Sequence, residues 1–185
     1  LLADDQLDVN VRRAIAIALA GLGERSVAAK TMMQLLSGDQ FGVFVQRSIA
    51  SALGALGERS VAGELVQLLL DERLHVFTRR KIADALGTLG ERSVTGELVQ
   101  LLSDERLDVD LRWSIASALA VYTNDISIIE RLVKSLQDKD ISDSVYSALW
   151  TISRRAGVWI FPKHLTAHTR NVKQSQAQYE IVPWE

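Results

Sequence analysis

Leu89-Gly90-Glu91-Arg92-Ser93-Val94 is the phrase on which the fold turns, because the chain repeats it. Two further copies are Leu22-Gly23-Glu24-Arg25-Ser26-Val27 and Leu56-Gly57-Glu58-Arg59-Ser60-Val61. A worn fourth is Tyr122-Thr123-Asn124-Asp125-Ile126-Ser127-Ile128, and the four stand 34, 33 and 33 residues apart. A fixed period of this length marks stacked repeats in which each unit leans on its neighbours. The predicted class is all-α, a right-handed α-solenoid of helical hairpins over residues 1–155, followed by an irregular tail or cap over 156–185.

Outward from the phrase, Thr78, Ile82, Leu86 and Leu89 fall at i, i+4, i+8 and i+11, one apolar stripe of a first helix, A, with Arg79, Arg80, Lys81 and Asp84 off that face. Gly90, like Gly57 and Gly23, directly follows the stripe, where a left-handed residue ends a helix. Val94, Leu98, Leu101 and Leu102 give the stripe of a second helix, B, whose amino end either Glu91 or Ser93 caps. Helices of about a dozen residues are marginal alone, so their stripes must be buried by stacking. The equivalent Ile15, Ile49, Ile82 and Ile115 are expected to form a spine. Small residues recur at Ala16, Ala50, Ala83 and Ala116 and at Ala20, Gly54, Gly87 and Ala120, as a close helix crossing requires.

The fifth unit departs from this pattern. Tyr146 and Trp150 fill the small positions, Ile115 to Val145 spans only 30 residues, and the loop anchor seen as Leu7, Phe41, Leu74 and Leu107 is missing. Terminal repeats lack one neighbour, so residues 139–155 are expected to be the last helix, with Tyr146 and Trp150 receiving the tail. In that tail Val158-Trp159-Ile160-Phe161 and Tyr179-Glu180-Ile181-Val182 either pair as short strands or lie across the end of the stack.

The 185 residues are 48% hydrophobic and 24% charged with net charge −2, which gives no overall bias toward nucleic acid or anionic lipid. There is no cysteine, so disulfides and thiolate chemistry are excluded. No apolar run reaches the roughly 18 residues that cross a bilayer, and no signal-peptide pattern opens the chain. A soluble, cytoplasmic protein is the expectation. Leu1-Leu2-Ala3-Asp4 aligns with Leu101-Leu102-Ser103-Asp104, so the chain opens inside a repeat, as a piece cut from a longer protein would.

From Val11-Arg12 through Leu22-Gly23, and from Arg79 through Ala85-Leu86-Gly87-Thr88-Leu89-Gly90, the residues resemble the HEAT-like repeats of the phycobilisome lyase type. The likeness covers about residues 1–155. It implies an α-solenoid with binding or scaffolding roles and, in some members, attachment of bilin to an acceptor protein. The inter-repeat loop, as in Asp104-Glu105-Arg106-Leu107-Asp108, is longer than that family's. Gln46 stands where the other units have Arg12, Arg79 and Arg112. Ser147-Ala148-Leu149-Trp150 through Ser153-Arg154-Arg155 also resembles the ends of HEAT-containing bacterial signalling NTPases of the NACHT type.

Catalytic motifs are weak. His164 and His168 have the i, i+4 spacing of metal ligands, but Pro162 is close and no third ligand is near; no metal site and no cofactor are expected. His75 falls in a loop, with Gly42 and Asp108 at the equivalent positions. The glycines belong to helix ends and form no phosphate loop. Asp71-Glu72 and Asp104-Glu105 recur with the repeat, as solvated loops do and a catalytic dyad does not. Arg12-Arg13 and Arg79-Arg80-Lys81 are basic spots without interleaved aromatics, so nucleic acid is an unlikely partner.

The expected activity is therefore non-catalytic recognition of a protein partner along a concave surface lined by B helices. Its polar positions are Lys30 with Met33, Glu64 with Gln67, Glu97 with Gln100, and Arg131 with Lys134, a run from mixed through acidic to basic. Trp113 replaces the Arg13, Arg47 and Arg80 of the other units, and it is either an interface anchor or packs beneath the fourth loop. The alternative is a bilin lyase-like subunit that holds pigment and acceptor.

Overall fold

The computed structural model describes residues 14, 17–19, 21–38, 41–102, 104–121, 126–135, 142–156, 158–162 and 179–183. They divide into two compact units, Leu1–Val94 and Thr95–Glu185. The first holds α1 (Arg25–Leu36), α2 (Val43–Leu56), a 3-10 turn Arg59–Val61 leading into α3 (Ala62–Leu70), α4 (Val76–Leu89) and a 3-10 turn Arg92–Val94. The second holds α5 (Thr95–Leu102), α6 (Val109–Leu119), α7 (Ile126–Ser135), α8 (Ser142–Ala156), β1 (Val158–Pro162) and β2 (Tyr179–Pro183).

In the first unit α2 packs against α1 and α4, and α3 packs against α4. The predicted stripe of α4 is enclosed: Thr78, Ile82 and Leu86 are fully buried and Leu89 nearly so. Ile49 and Leu53 of α2 and Leu65 and Leu69 of α3 are also fully buried. Burial of side chains of this size is worth about 1.5–3 kcal/mol each, which is what holds such short helices in place. At α4 the stripe ends on Gly90, which takes φ 62° and donates its N–H to the Leu86 carbonyl at 3.2 Å. A Cβ is disfavoured at that φ, which is why the helix ends on glycine.

The small positions act where α2 crosses α4. A Cβ on Gly54 would stand 3.0 Å from the Cα of Ala85 and 3.2 Å from its Cβ, so the two backbones are nearly as close as they can come. Near the other end of the same crossing, the buried Thr78 hydroxyl donates to Gln46 Oε1 at 3.2 Å. Gln46 therefore does more than interrupt a row of arginines: it satisfies a neighbouring helix's buried hydroxyl, as buried polar groups require.

Glu91, one of the two candidate caps, is the one that accepts, taking the Ser93 N–H at 3.0 Å; Glu58 does the same for Ser60 at 3.2 Å. The arginine of the phrase also ties repeats together. Arg59 Nε donates at 3.2 Å to the Leu89 carbonyl at the end of α4, one of the acceptors a helix terminus leaves open.

The second unit shows the same logic. α5 packs against α6 and α7, α8 packs against α6 and α7, and Ile115, Leu111 and Leu119 of α6 are fully buried. Asp108 caps α6, its Oδ1 accepting from the N–H groups of Asp110 at 2.9 Å and Leu111 at 3.3 Å. Ile49, Ile82 and Ile115 are thus each buried in their own unit, whereas Ile15 lies outside the described residues.

The last helix, expected over 139–155, is α8. Of the two arrangements open to the tail, its apolar runs adopt strand pairing: β1 and β2 are antiparallel, with Val158 opposite Pro183, Ile160 opposite Ile181 and Pro162 opposite Tyr179. These ten residues are regular structure where an irregular segment was expected. β1 packs against α8, but Trp150 remains half exposed and Tyr146 half-buried, so neither ring is enclosed.

Two readings of the helix pattern need correction. Leu101 is only half-buried, and Val99 takes its place in the core beside Leu98 and Leu102. Met33, taken as a surface position, is buried because α1 is apolar around a wider arc than α3: Ala29, Met33 and Leu36 join Ala28, Met32 and Leu35, where α3 has Gly63, Gln67 and Leu70 exposed.

Candidate interaction surfaces

A helix whose apolar stripe faces its neighbours leaves the remaining positions to solvent, and the B helices follow that rule. Lys30 on α1, Glu64 and Gln67 on α3, Glu97 and Gln100 on α5, and Arg131 and Lys134 on α7 are all exposed. Glu64 and Gln67 belong to the first unit. In the second unit the packing of α5 on α7 sets the helix carrying Glu97 and Gln100 beside the helix carrying Arg131 and Lys134. The acidic-to-basic step read from the sequence is therefore a property of two adjacent helices in that unit.

Trp113 is 45% exposed on α6, one turn after Val109, which is 42% exposed. Packing under a loop would have covered the indole. Instead the pair forms a small apolar step on the surface, where i and i+4 side chains lie together.

The recurring carboxylates of the loops are committed elsewhere. Asp71 Oδ1 accepts from the Arg73 backbone N–H at 3.0 Å, and its Oδ2 holds the Arg73 guanidinium at 2.7 Å. Asp104 repeats the arrangement with Arg106, at 3.0 and 2.7 Å. The Arg106 hydrogen bonds hold the Asp104 carboxyl down at about 2, and those of Arg73 lower Asp71 in the same sense. Hydrogen bonds from Ser60 and Ser93 also hold Glu58 and Glu91 below the usual glutamate range. A general acid needs the opposite shift, so these carboxylates serve loop and cap structure.

His75 is exposed and caps α4, its Nδ1 accepting from the Phe77 N–H at 3.2 Å, which explains why Asp108 holds the equivalent position at α6. His164 and His168 lie outside the described residues; among the described residues no group of three potential metal ligands gathers. No helix among them is long and apolar enough to cross a membrane.

The surface that sequence reasoning missed is on the A helices. Phe44 on α2 is 84% exposed and Phe77 on α4 is 50% exposed, at equivalent positions of neighbouring repeats. The Phe77 ring lies 5.1 Å from that of His75, and the Arg80 guanidinium stands 6.0 Å from its centre. The available signal was the phenylalanine at the same place in two repeats, off the apolar stripe. Arg59, whose bond to α4 links neighbouring repeats, was missed too, although it sat in the repeated phrase.

No family model matches the chain, and no curated protein matches it.

Proposed function

We propose that the chain is a non-catalytic helical-repeat module, a right-handed α-solenoid of HEAT-like hairpins, that recognises a protein partner through the exposed faces of its B helices. The observation that carries this is the contrast in how polar groups are used. Loop carboxylates are engaged by their own arginines, whereas Glu64, Gln67, Glu97, Gln100 and Lys134 are exposed and form no hydrogen bond or ion pair with other described residues. Charges that no fold contact consumes can set the register and rate of association. The A-on-A packing within each unit, α2 with α4 and α6 with α8, supports the solenoid reading.

The test places a photo-crosslinking residue at Gln67 or Gln100, with Glu72 and Glu105 in the loops as controls, in extract from the source cells. The expected result is a discrete adduct at the helix positions that is lost in the Glu64→Lys/Glu97→Lys variant. Equal labelling at helix and loop positions, or an adduct indifferent to charge reversal, would remove the B-helix face from consideration.

A further inference from the structure

We propose that the A-helix face bearing Phe44, Arg47, Phe77 and Arg80 is a second docking surface, built for an acidic protein segment that carries two apolar anchors. It goes beyond the B-helix reading and uses none of its residues.

The placement follows from the crossing of α2 and α4. The Thr78–Gln46 hydrogen bond ties the first turns of the two helices together, and Gly54 against Ala85 fixes the other end of the same contact. Phe44 and Phe77 hold equivalent positions on these two packed helices, and both are exposed. Packed helices run about 8–10 Å apart. Side chains two or three residues apart in an extended segment, which advances about 3.3 Å per residue, span a similar distance.

Neither ring has a core role to explain it. The equivalent place in the next repeat is Asp110, so the scaffold does not require an aromatic there. Phe77 already meets the His75 ring and the Arg80 guanidinium, so part of its ordering precedes binding.

Charge selects the partner's sign. On the face of the two rings stand Arg47, Arg80 and Lys81 and one carboxylate, Asp84, which Lys81 engages at 2.9 Å, while Arg79 lies on the other side of α4 with its Nε buried. An arginine stands i+3 from each phenylalanine, on the same face of its helix, and aromatic residues with arginine are the groups that dominate binding energy at protein interfaces. Single-stranded nucleic acid also uses rings and arginines. Stacked bases, however, follow at about 3.4 Å, far closer than two rings on adjacent helices, and the chain as a whole carries net charge −2.

The experiment pans a random 12-residue peptide library displayed on phage against the full chain and against Phe44→Ala/Phe77→Ala. Fluorescence anisotropy of the enriched peptide then follows, with a labelled 12-mer of thymidylate as the competing class. The expected result is enrichment of peptides that combine Asp or Glu with apolar residues, affinity reduced about tenfold or more by the double alanine variant, and weakened binding in Arg47→Glu. Glu64→Lys/Glu97→Lys should leave this binding intact, which separates failure of this surface from failure of the B-helix face. Because both rings are solvent-facing, the alanine variant keeps its fold, and an unchanged circular dichroism melt verifies that. Enrichment without acidic bias, binding indifferent to Phe44 and Phe77, preference for the oligonucleotide, or self-association that the alanine variant abolishes would each overturn the proposal.

Discussion

Replacing Gly54 by alanine pits two well-defined terms against each other. In a helix interior the change from glycine to alanine gains about 0.8–1.0 kcal/mol of helix propensity. At this position, however, the new Cβ meets the Cα of Ala85 at 3.0 Å, its Cβ at 3.2 Å and its carbonyl oxygen at 3.5 Å. Two of those atoms are backbone, which cannot rotate away, so α2 and α4 must separate. Overpacking of this kind costs about 1–3 kcal/mol. The net effect runs from near zero to about 2 kcal/mol of destabilisation.

Gly63→Ala is the matched control, because Gly63 is an exposed helical residue whose new Cβ meets nothing within 4 Å. It gains a few tenths to about 1 kcal/mol with no packing cost. Thermal unfolding followed by circular dichroism compares the two. A domain of 60–100 residues shifts its Tm by about 4–8 °C per kcal/mol, so Gly63→Ala should melt above Gly54→Ala, by about 1 °C at the least. Gly54→Leu should lie lower still. If Gly54→Ala raised the Tm as much as the control, the close crossing of α2 on α4 would be refuted.

Thr78→Val leaves Gln46 Oε1 buried without its donor, which should cost about 1–3 kcal/mol, while Thr78→Val with Gln46→Leu should recover most of that loss; urea unfolding of the single variant at wild-type stability would contradict the bond. Ile82→Asp puts a carboxylate at a fully buried site, a penalty of the order of the whole 5–15 kcal/mol stability of a domain, and full retention of helicity and Tm would refute burial of that stripe. Asp104 should titrate at about 2 by NMR, against an ordinary 3.8. Because its pKa is depressed in the folded chain, its contribution is complete above the ordinary value and disappears as pH falls from about 4 to 2. Arg106→Ala should return the titration toward 3.8, and an unmoved midpoint would show that the guanidinium is not the cause.

The period, the alternation of A and B helices, the glycine stops at Gly57 and Gly90 and the buried stripe of α4 were legible in the sequence. Each depends on local rules: a 3.6-residue repeat of apolar side chains, and a backbone conformation open to glycine. The exposed positions of α3 and α5 followed from the same periodicity. It failed at Met33, because an apolar side chain at the edge of the stripe, three residues from the exposed Lys30, is assigned to core or surface only by what packs on it. It also failed at Leu101 and Val99, two residues apart, where both side chains are apolar and only packing chooses between them.

By itself, then, the sequence determined that this is a chain of repeating helical hairpins without thiol chemistry, because composition and period act along the chain. Tertiary structure decided what depends on residues far apart in it. These are the fit of Gly54 to Ala85, the bond from Thr78 to Gln46, the reach of Arg59 to Leu89, the pairing of β1 with β2, and the exposure of Phe44 and Phe77 on neighbouring helices. Contacts across 30 or more residues, as in the Arg59–Leu89 bond, depend on the angle and distance at which two helices meet. No local pattern encodes that geometry, since it is set by how both partners fill the space between them.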